Sequence, residues 1–273
     1  MEIGASTRLL AVLGDPVAHS LSPVMHNAVI RALGLDAVYV GLRVPAAAIP
    51  ETLAVLAAVG AAGNVTVPHK EAVERYVARK TDACAKAGAC NTFWVEAGDL
   101  IGDNTDVAGV RAALAALGAD GARRWLVIGT GGSARAVAIA ATESGAELRV
   151  RSRAPERAAR FSAWANERGA QAAVWKEGET AEVAINATPL GLAATDALPV
   201  DPKALTGVRC ALDLVYAAGE TRWVQALRAA GVAAHDGREM LVRQGAAAFA
   251  RFFPGALAPL DVMRAAVARA LRA

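Results

Sequence analysis

The 273-residue chain alternates short apolar runs with stretches in which apolar positions recur at helical spacing. Residues 8–13 form a compact apolar run ending at Gly14-Asp15-Pro16, which reads as a buried strand entering a turn. Val24, Met25, Ala28, Val29, Ala32 and Leu33 then line one face of a helix that stops at Gly34. Residues 37–44 and 63–67 read as strands around a helix over 47–59, and this β-α-β-α-β order predicts a parallel sheet. A short helix is expected over 81–88. A hairpin follows, with residues 91–96 and 100–102 around a glycine-bearing turn, and then a helix through Val110, Leu114 and Leu117.

The second half alternates strands with helices, and no internal sequence repeat appears. Strands are expected at 125–128, from Leu148, at 171–175, 183–186, 209–215 and 231–235, with helices after Gly132, to about Arg168 and from Thr221. Residues 238–273 read as two helices separated by Pro254 and Pro259. The expected fold class is α/β with two domains: an N-terminal, mainly parallel sheet domain and a Rossmann-type doubly wound domain whose strand ends face a ligand crevice.

The stretch 124–157 carries the first chemistry. Its strand runs through Gly129, Gly131 and Gly132 into a helix, matching GxGxxA with Ala134 in the last place. Small residues there let the turn tighten and the backbone approach a diphosphate, which the helix N-terminus faces with unpaired N–H groups. A plain glycine turn in an α/β core is the alternative. The second strand selects the cofactor. An NAD site places Asp or Glu roughly 20 residues past the first glycine, whereas this chain has Arg151, Ser152 and Arg153 there and Arg157 one turn on. Guanidinium groups and a hydroxyl suit a 2′-phosphate, which points to NADP.

Composition narrows the field. A net charge of +3 with no Lys/Arg run above two residues excludes a nucleic-acid or membrane-surface footprint. Cys84, Cys90 and Cys210 are odd in number and lack CxxC spacing, so reduced thiols in a cytoplasmic protein are expected, with neither a disulfide frame nor a metal site. No signal peptide is evident, and the most apolar segment, residues 52–63, is too short to span a bilayer.

Further candidates lie in the first half. Ser22 before Pro23 reads as a helix N-cap; with Ser20 it also makes a seat for a carboxylate beside free helix N–H groups. Asn64 and Thr66 share one strand face by the period of two, and Pro68 stops that strand. Lys70 opens a helix, where a cation opposes the macrodipole, a conflict that hints at function. Glu71 and Glu74 read as a solvated face, and His69 as a packed histidine. Residues 103–106, Asp-Asn-Thr-Asp, precede a helix that Thr105 or Asp106 would cap.

Taken together, these segments resemble the shikimate dehydrogenase family. The resemblance rests on GDPVAHSLSPVMHN at 14–27, NVTVPHK at 64–70, AGACNT at 87–92, GDNTD at 102–106, GTGGSARA at 129–136, INATPLG at 185–191 and the DGREMLVRQGAAAF run from Asp236. It implies reversible NADP(H)-dependent hydride transfer between shikimate and 3-dehydroshikimate in aromatic amino-acid biosynthesis, with Lys70 and Asp106 as the catalytic pair. Ser20, Ser22 and Tyr216 match carboxylate-side contacts, and Asn64, Thr66, Asn91 and Gln244 match positions around the hydroxyls. For the cofactor, it implies Gly129, Thr130, Gly131, Gly132 and Ser133 on the diphosphate and Ser152, Arg153 and Arg157 on the adenosine phosphate. Leu214, Gly237 and Met240 match positions near the nicotinamide, and Asp82 an acidic position linked to cofactor binding. The implied domains are 1–104 with 239–273 for substrate and 105–238 for NADP, in a monomer or homodimer. Cys90, Ser152 and Arg238-Glu239 depart from the family pattern. The alternatives are a quinate/shikimate dehydrogenase of broader specificity and a non-catalytic nucleotide-binding sensor.

Overall fold

The computed structural model describes residues 3–119 and 121–272. Residues 1, 2 and 273, the outer ends of the expected first domain, lie outside the described residues. The chain divides into two compact units, Met1–Thr105 with Leu241–Ala273, and Asp106–Met240.

In the first unit the chain runs β1 (Arg8–Gly14), α1 (Ser22–Ala32), β2 (Ala37–Arg43), α2 (Ile49–Ala58), β3 (Ala62–Val65), α3 (Lys70–Val73), β4 (Arg79–Lys80), α4 (Asp82–Ala87), β5 (Thr92–Glu96) and β6 (Asp99–Asp103). The sheet order is β2-β1-β3-β5-β6-β4. The β-α-β-α-β portion is parallel, as expected, while β5 joins β3 antiparallel and forms the hairpin with β6. Two-residue β4, parallel to β6, has no apolar run to announce it. One face of the sheet buries Leu13, Ile49, Leu53, Val65, Val73 and Phe93 in a single core, each such side chain contributing about 1.5–3 kcal/mol by leaving water.

The second unit opens with α5 (Thr105–Ala116), which begins one residue before it, and continues β7 (Arg124–Ile128), α6 (Gly132–Glu143), β8 (Glu147–Arg151), α7 (Pro155–Asn166), β9 (Gln171–Val174), β10 (Val183–Asn186), β11 (Cys210–Asp213), α8 (Arg222–Ala229) and β12 (Ala233–His235). Its sheet, ordered β12-β11-β10-β7-β8-β9, is parallel throughout. The order reverses between β7 and β10, the switch point where doubly wound sheets place ligands. Trp223 is buried in this core, and its indole N–H donates to Val200 O at 2.9 Å. The chain then returns through α9 (Arg238–Phe252) and α10 (Leu260–Ala270), and α10 packs on α1.

Three local expectations need correction. Leu21 rather than Ser22 caps α1, with no side-chain cap bond, because Ser22 already has helical geometry and its hydroxyl turns inward to the Tyr39 phenol. Thr105 likewise stands inside α5, its N–H donating to Asn91 Oδ1 at 2.7 Å. Glu74 is not solvated: its side chain is 18% exposed and pairs with Lys80 at 2.6 Å.

Candidate active site

A buried polar network occupies the first unit. β3 carries Asn64 with 5% exposure. Its Nδ2 donates to Asn91 O at 3.1 Å and to Thr92 Oγ1 at 3.0 Å, and its Oδ1 accepts from the Tyr39 hydroxyl at 2.7 Å. Thr92 in turn donates to Asn91 Oδ1 at 2.9 Å. Asn91 Nδ2 reaches Thr105 Oγ1 at 3.1 Å and Gln244 Oε1 on α9 at 3.4 Å. Such groups cost free energy when buried unpaired, and the network pairs them. It joins the expected residues Asn64, Asn91 and Gln244, and connects Ser22 through Tyr39. Ser20 lies alongside, its Oγ accepting from Ser22 N at 3.3 Å.

Sequence reasoning missed Tyr39, Thr92 and Thr105 as members. The signal available was weak: one tyrosine in an otherwise apolar strand, and hydroxyl residues inside or beside the quoted motifs. His26 was also missed. It is fully buried and stacks on Tyr39 with centroids 4.5 Å apart and planes 9° apart; burial lowers its pKa to about 3, so the ring is neutral.

Thr66 follows β3, its N–H donating to Leu13 O at 2.8 Å. Lys70 opens α3, half-buried, and its carbonyl accepts from Cys90 N at 2.8 Å, which ties the lysine's backbone to the AGACNT segment. The preceding His69 is packed, Nε2 lying 2.7 Å from Val44 O.

The GDNTD segment shows what its residue types are for. A Cβ on Gly102 would lie 2.8 Å from Val77 Cγ2 and 3.1 Å from Cys90 Sγ, so only glycine lets the strand approach. Asp103 accepts from Thr81, which caps α4, from Asn104 N at 2.7 Å and from Arg251 Nε at 3.0 Å. Asn104 donates to Ala89 O at 2.8 Å, and Thr105 holds Asn91. Four residues are thus consumed in fixing the backbone. The fifth, Asp106, is 3% exposed in the first turn of α5.

In the second unit, β7 runs into α6 through the glycine turn. Gly129 has φ +115°, and a Cβ there would sit 2.8 Å from Ala187 O; both facts demand glycine. Gly131 stands at the N-cap without a side-chain cap, and nothing lies within 4 Å of where its Cβ would be. The first N–H groups of α6, at Gly132, Ser133 and Ala134, therefore lack intrahelical acceptors beside open space. Thr130 is half-buried, and Ala134 is fully buried against the sheet. At the end of β8, Arg151, Arg153 and Arg157 are exposed, while Ser152 Oγ accepts from Ala154 N at 3.4 Å. Arg149, by contrast, is engaged by Glu147 and Glu179. The main-chain donors after β7 and the exposed guanidinium groups after neighbouring β8 are of the chemical kinds that suit phosphate groups.

Loops at the neighbouring strand ends are pinned by a second buried cluster that sequence reasoning also missed. Asp213 accepts from Thr221 Oγ1 at 2.7 Å, Asn186 Nδ2 at 2.8 Å and Val215 N at 3.1 Å; burial raises its pKa despite these bonds. Asn186 also organises Thr188 and Leu190. Leu214 N donates to Asn186 O and Gly237 N to Val215 O, which sets the backbone that carries Leu214, Tyr216, Gly237 and Met240. Asp82 is exposed on α4 of the first unit, 3.8 Å from Lys86. Among the described residues no cluster of metal ligands occurs, and no helix is long and apolar enough to cross a membrane.

Comparison with known proteins follows the same lines. Residues 12–93 match the shikimate dehydrogenase substrate binding domain, and residues 237–268 match the shikimate 5′-dehydrogenase C-terminal domain. The chain is 40% identical to the NADP+ shikimate dehydrogenase of Methanothrix thermoacetophila, over 97% of this chain and 98% of that one. It is 38% identical to that of Symbiobacterium thermophilum, covering 97% and 95%. The solved shikimate 5-dehydrogenase of Thermus thermophilus, in complex with NADP(H) and shikimate, is 36% identical over 97% of this chain and 99% of that one, with a TM-score of 0.86.

Proposed function

The chain belongs to the shikimate dehydrogenase family, and we propose on that premise how its residues divide the work of an NADP-dependent oxidoreductase that interconverts shikimate and 3-dehydroshikimate in aromatic amino-acid biosynthesis. A substrate domain of residues 1–104 with 239–273 takes the substrate, and residues 105–238 take the cofactor.

Oxidising a ring alcohol to a ketone removes a hydride from carbon and a proton from oxygen. When bound, NADP+ accepts the hydride, and NADPH returns it in the reverse direction. Lys70 and Asp106 hold the reacting hydroxyl by hydrogen bonds and take its proton, the acid/base half of the step. The observation that carries this assignment is the use of residues 102–105 to hold the backbone that presents Asp106. Ser20, Ser22 and Tyr216 bind the substrate carboxylate through their hydroxyls. Asn64, Thr66, Asn91 and Gln244 bind its hydroxyl groups.

The second unit fits the dinucleotide. Gly129, Thr130, Gly131, Gly132 and Ser133 would receive the diphosphate with main-chain N–H groups, and Ser152, Arg153 and Arg157 the 2′-phosphate. Leu214, Gly237 and Met240 would border the nicotinamide, and Asp82 assists cofactor binding. The protein works in the cytoplasm as a monomer or homodimer, a placement supported by its three free thiols.

Absorbance of NADPH tests the reading. Shikimate with NADP+ should give steady reduction, and quinate or NAD+ should give much less. No turnover with shikimate and NADP+ would refute it; turnover with quinate equal to that with shikimate would move the assignment to the broader-specificity enzyme.

A further inference from the structure

Tyr39 takes no part in the chemistry proposed for the site, yet it is 1% exposed and its hydroxyl ends on Asn64, a residue assigned to the substrate. The orientation of the Asn64 amide follows from its partners. Asn91 O can only accept, so the Asn64 atom facing it is Nδ2, and Oδ1 faces the phenol. Both Nδ2 hydrogens are engaged, on Asn91 O and Thr92 Oγ1, and one Oδ1 lone pair is taken by Tyr39. A single acceptor lone pair remains. The phenol cannot swing away, because its ring is clamped by the parallel His26 ring on one side, with Phe252 tilted nearby.

We propose that Tyr39 is a positioning residue for substrate recognition: it locks the Asn64 amide so that Asn64 meets a substrate hydroxyl as a hydrogen-bond acceptor and never as a donor. This rests on Asn64 being a substrate residue. Removing the phenol hydroxyl takes away the partner that holds the amide oxygen in place, so the amide, still facing the same way through its Nδ2 bonds, shifts within its site and loosens the hydroxyl it holds.

The test is a steady-state cycle with shikimate and NADP+. Tyr39→Phe keeps the stacked ring and removes the hydroxyl that meets both Asn64 and Ser22, and the double variant with Asn64→Ala separates the two contacts. Loss of one hydrogen bond of this kind corresponds to about tenfold, so the KM for shikimate should rise about tenfold while kcat and the KM for NADP+ stay within about twofold. Asn64→Ala should raise the shikimate KM at least as much, and the double variant should be no worse than Asn64→Ala alone. If Tyr39→Phe does not fold, Thr92→Val releases one amide hydrogen from the other side and should give the same split. An unchanged shikimate KM in Tyr39→Phe or Thr92→Val, or penalties that add in the double variant, overturns the proposal. An unchanged KM in Asn64→Ala instead removes Asn64 from the substrate site, which is a failure of the parent reading.

Discussion

The buried His26 makes the first unit sensitive to acid by a calculable amount. Burial holds its folded-state pKa at about 3, while the unfolded chain protonates near 6.5. Between those values the unfolded state binds one more proton than the folded state, so stability falls as pH drops and is unaffected above about pH 7. The slope is about 1.4 kcal/mol per pH unit. By pH 5.5 the loss is about 1.4 kcal/mol, and the limiting loss near pH 3 is about 5 kcal/mol. Replacing His26 by Phe keeps an aromatic ring against Tyr39, Phe249 and Phe252 and removes the titrating group. Urea unfolding of the protein and of His26→Phe at about pH 7 and pH 5.5 isolates the histidine as a difference of differences, because His19, His69 and His235 are common to both. The variant should retain about 1.4 kcal/mol more of its neutral-pH stability at the lower pH. Identical pH dependence in the two proteins, or an NMR titration of the His26 ring near pH 6.5, would refute the reasoning.

Other expectations concern the two units separately. Lys70→Ala should lower kcat by about 10² or more, the scale of a lost acid/base group; near-normal turnover removes Lys70 from the mechanism. Arg153→Ala should weaken NADP+ binding, read by fluorescence titration, far more than NAD+ binding, and equal losses would dissociate the arginine from the 2′-phosphate. Thr221→Ala removes both the α8 cap, where its Oγ1 accepts from Val224 N at 3.3 Å, and the bond to Asp213. It should cost about 1–2 kcal/mol in urea unfolding, and a cost near zero would show that the pair contributes nothing to the second unit.

Periodicity made most of the architecture legible, because β1, β2, β7, β10 and β11 are mainly apolar runs and β8 alternates apolar with charged positions. It failed where a strand owes its existence to a neighbour: Arg79–Lys80 pairs with β6 although both side chains are exposed. The glycine turn and the basic strand end were readable too, since both are local features. The polar network was not. Ser22 looked like a cap because the sequence cannot show that its hydroxyl faces Tyr39 from the next strand, and Thr105 looked like a cap because Asn91 lies 14 positions away in the chain. The motifs quoted for the family contained Asn91, Thr92, Thr105 and Asn186, but which members touch a ligand and which hold the backbone depends on long-range pairing.

On the proposed division of labour the two units would use opposite strategies of recognition, and the difference would follow from their ligands' chemistry. A phosphate is satisfied by any array of N–H groups and positive charge, so the second unit presents main chain at α6 and exposed arginines, and spends its buried polar side chains, Asn186, Asp213 and Thr221, on holding loops. A ring bearing hydroxyl groups offers both donors and acceptors at fixed positions, and apolar packing alone would not distinguish it from an analogue that lacks one. The first unit therefore buries amides and hydroxyls whose directions are fixed by one another, from Tyr39 through Asn64 and Thr92 to Asn91 and Gln244. A ligand missing a hydroxyl would leave one of those groups desolvated and unpaired, which is the arrangement that gives the steepest discrimination between similar substrates. On that proposal, rigidity of the first unit's network is part of its selectivity, and the neutral His26 ring stacked on Tyr39 adds to that rigidity.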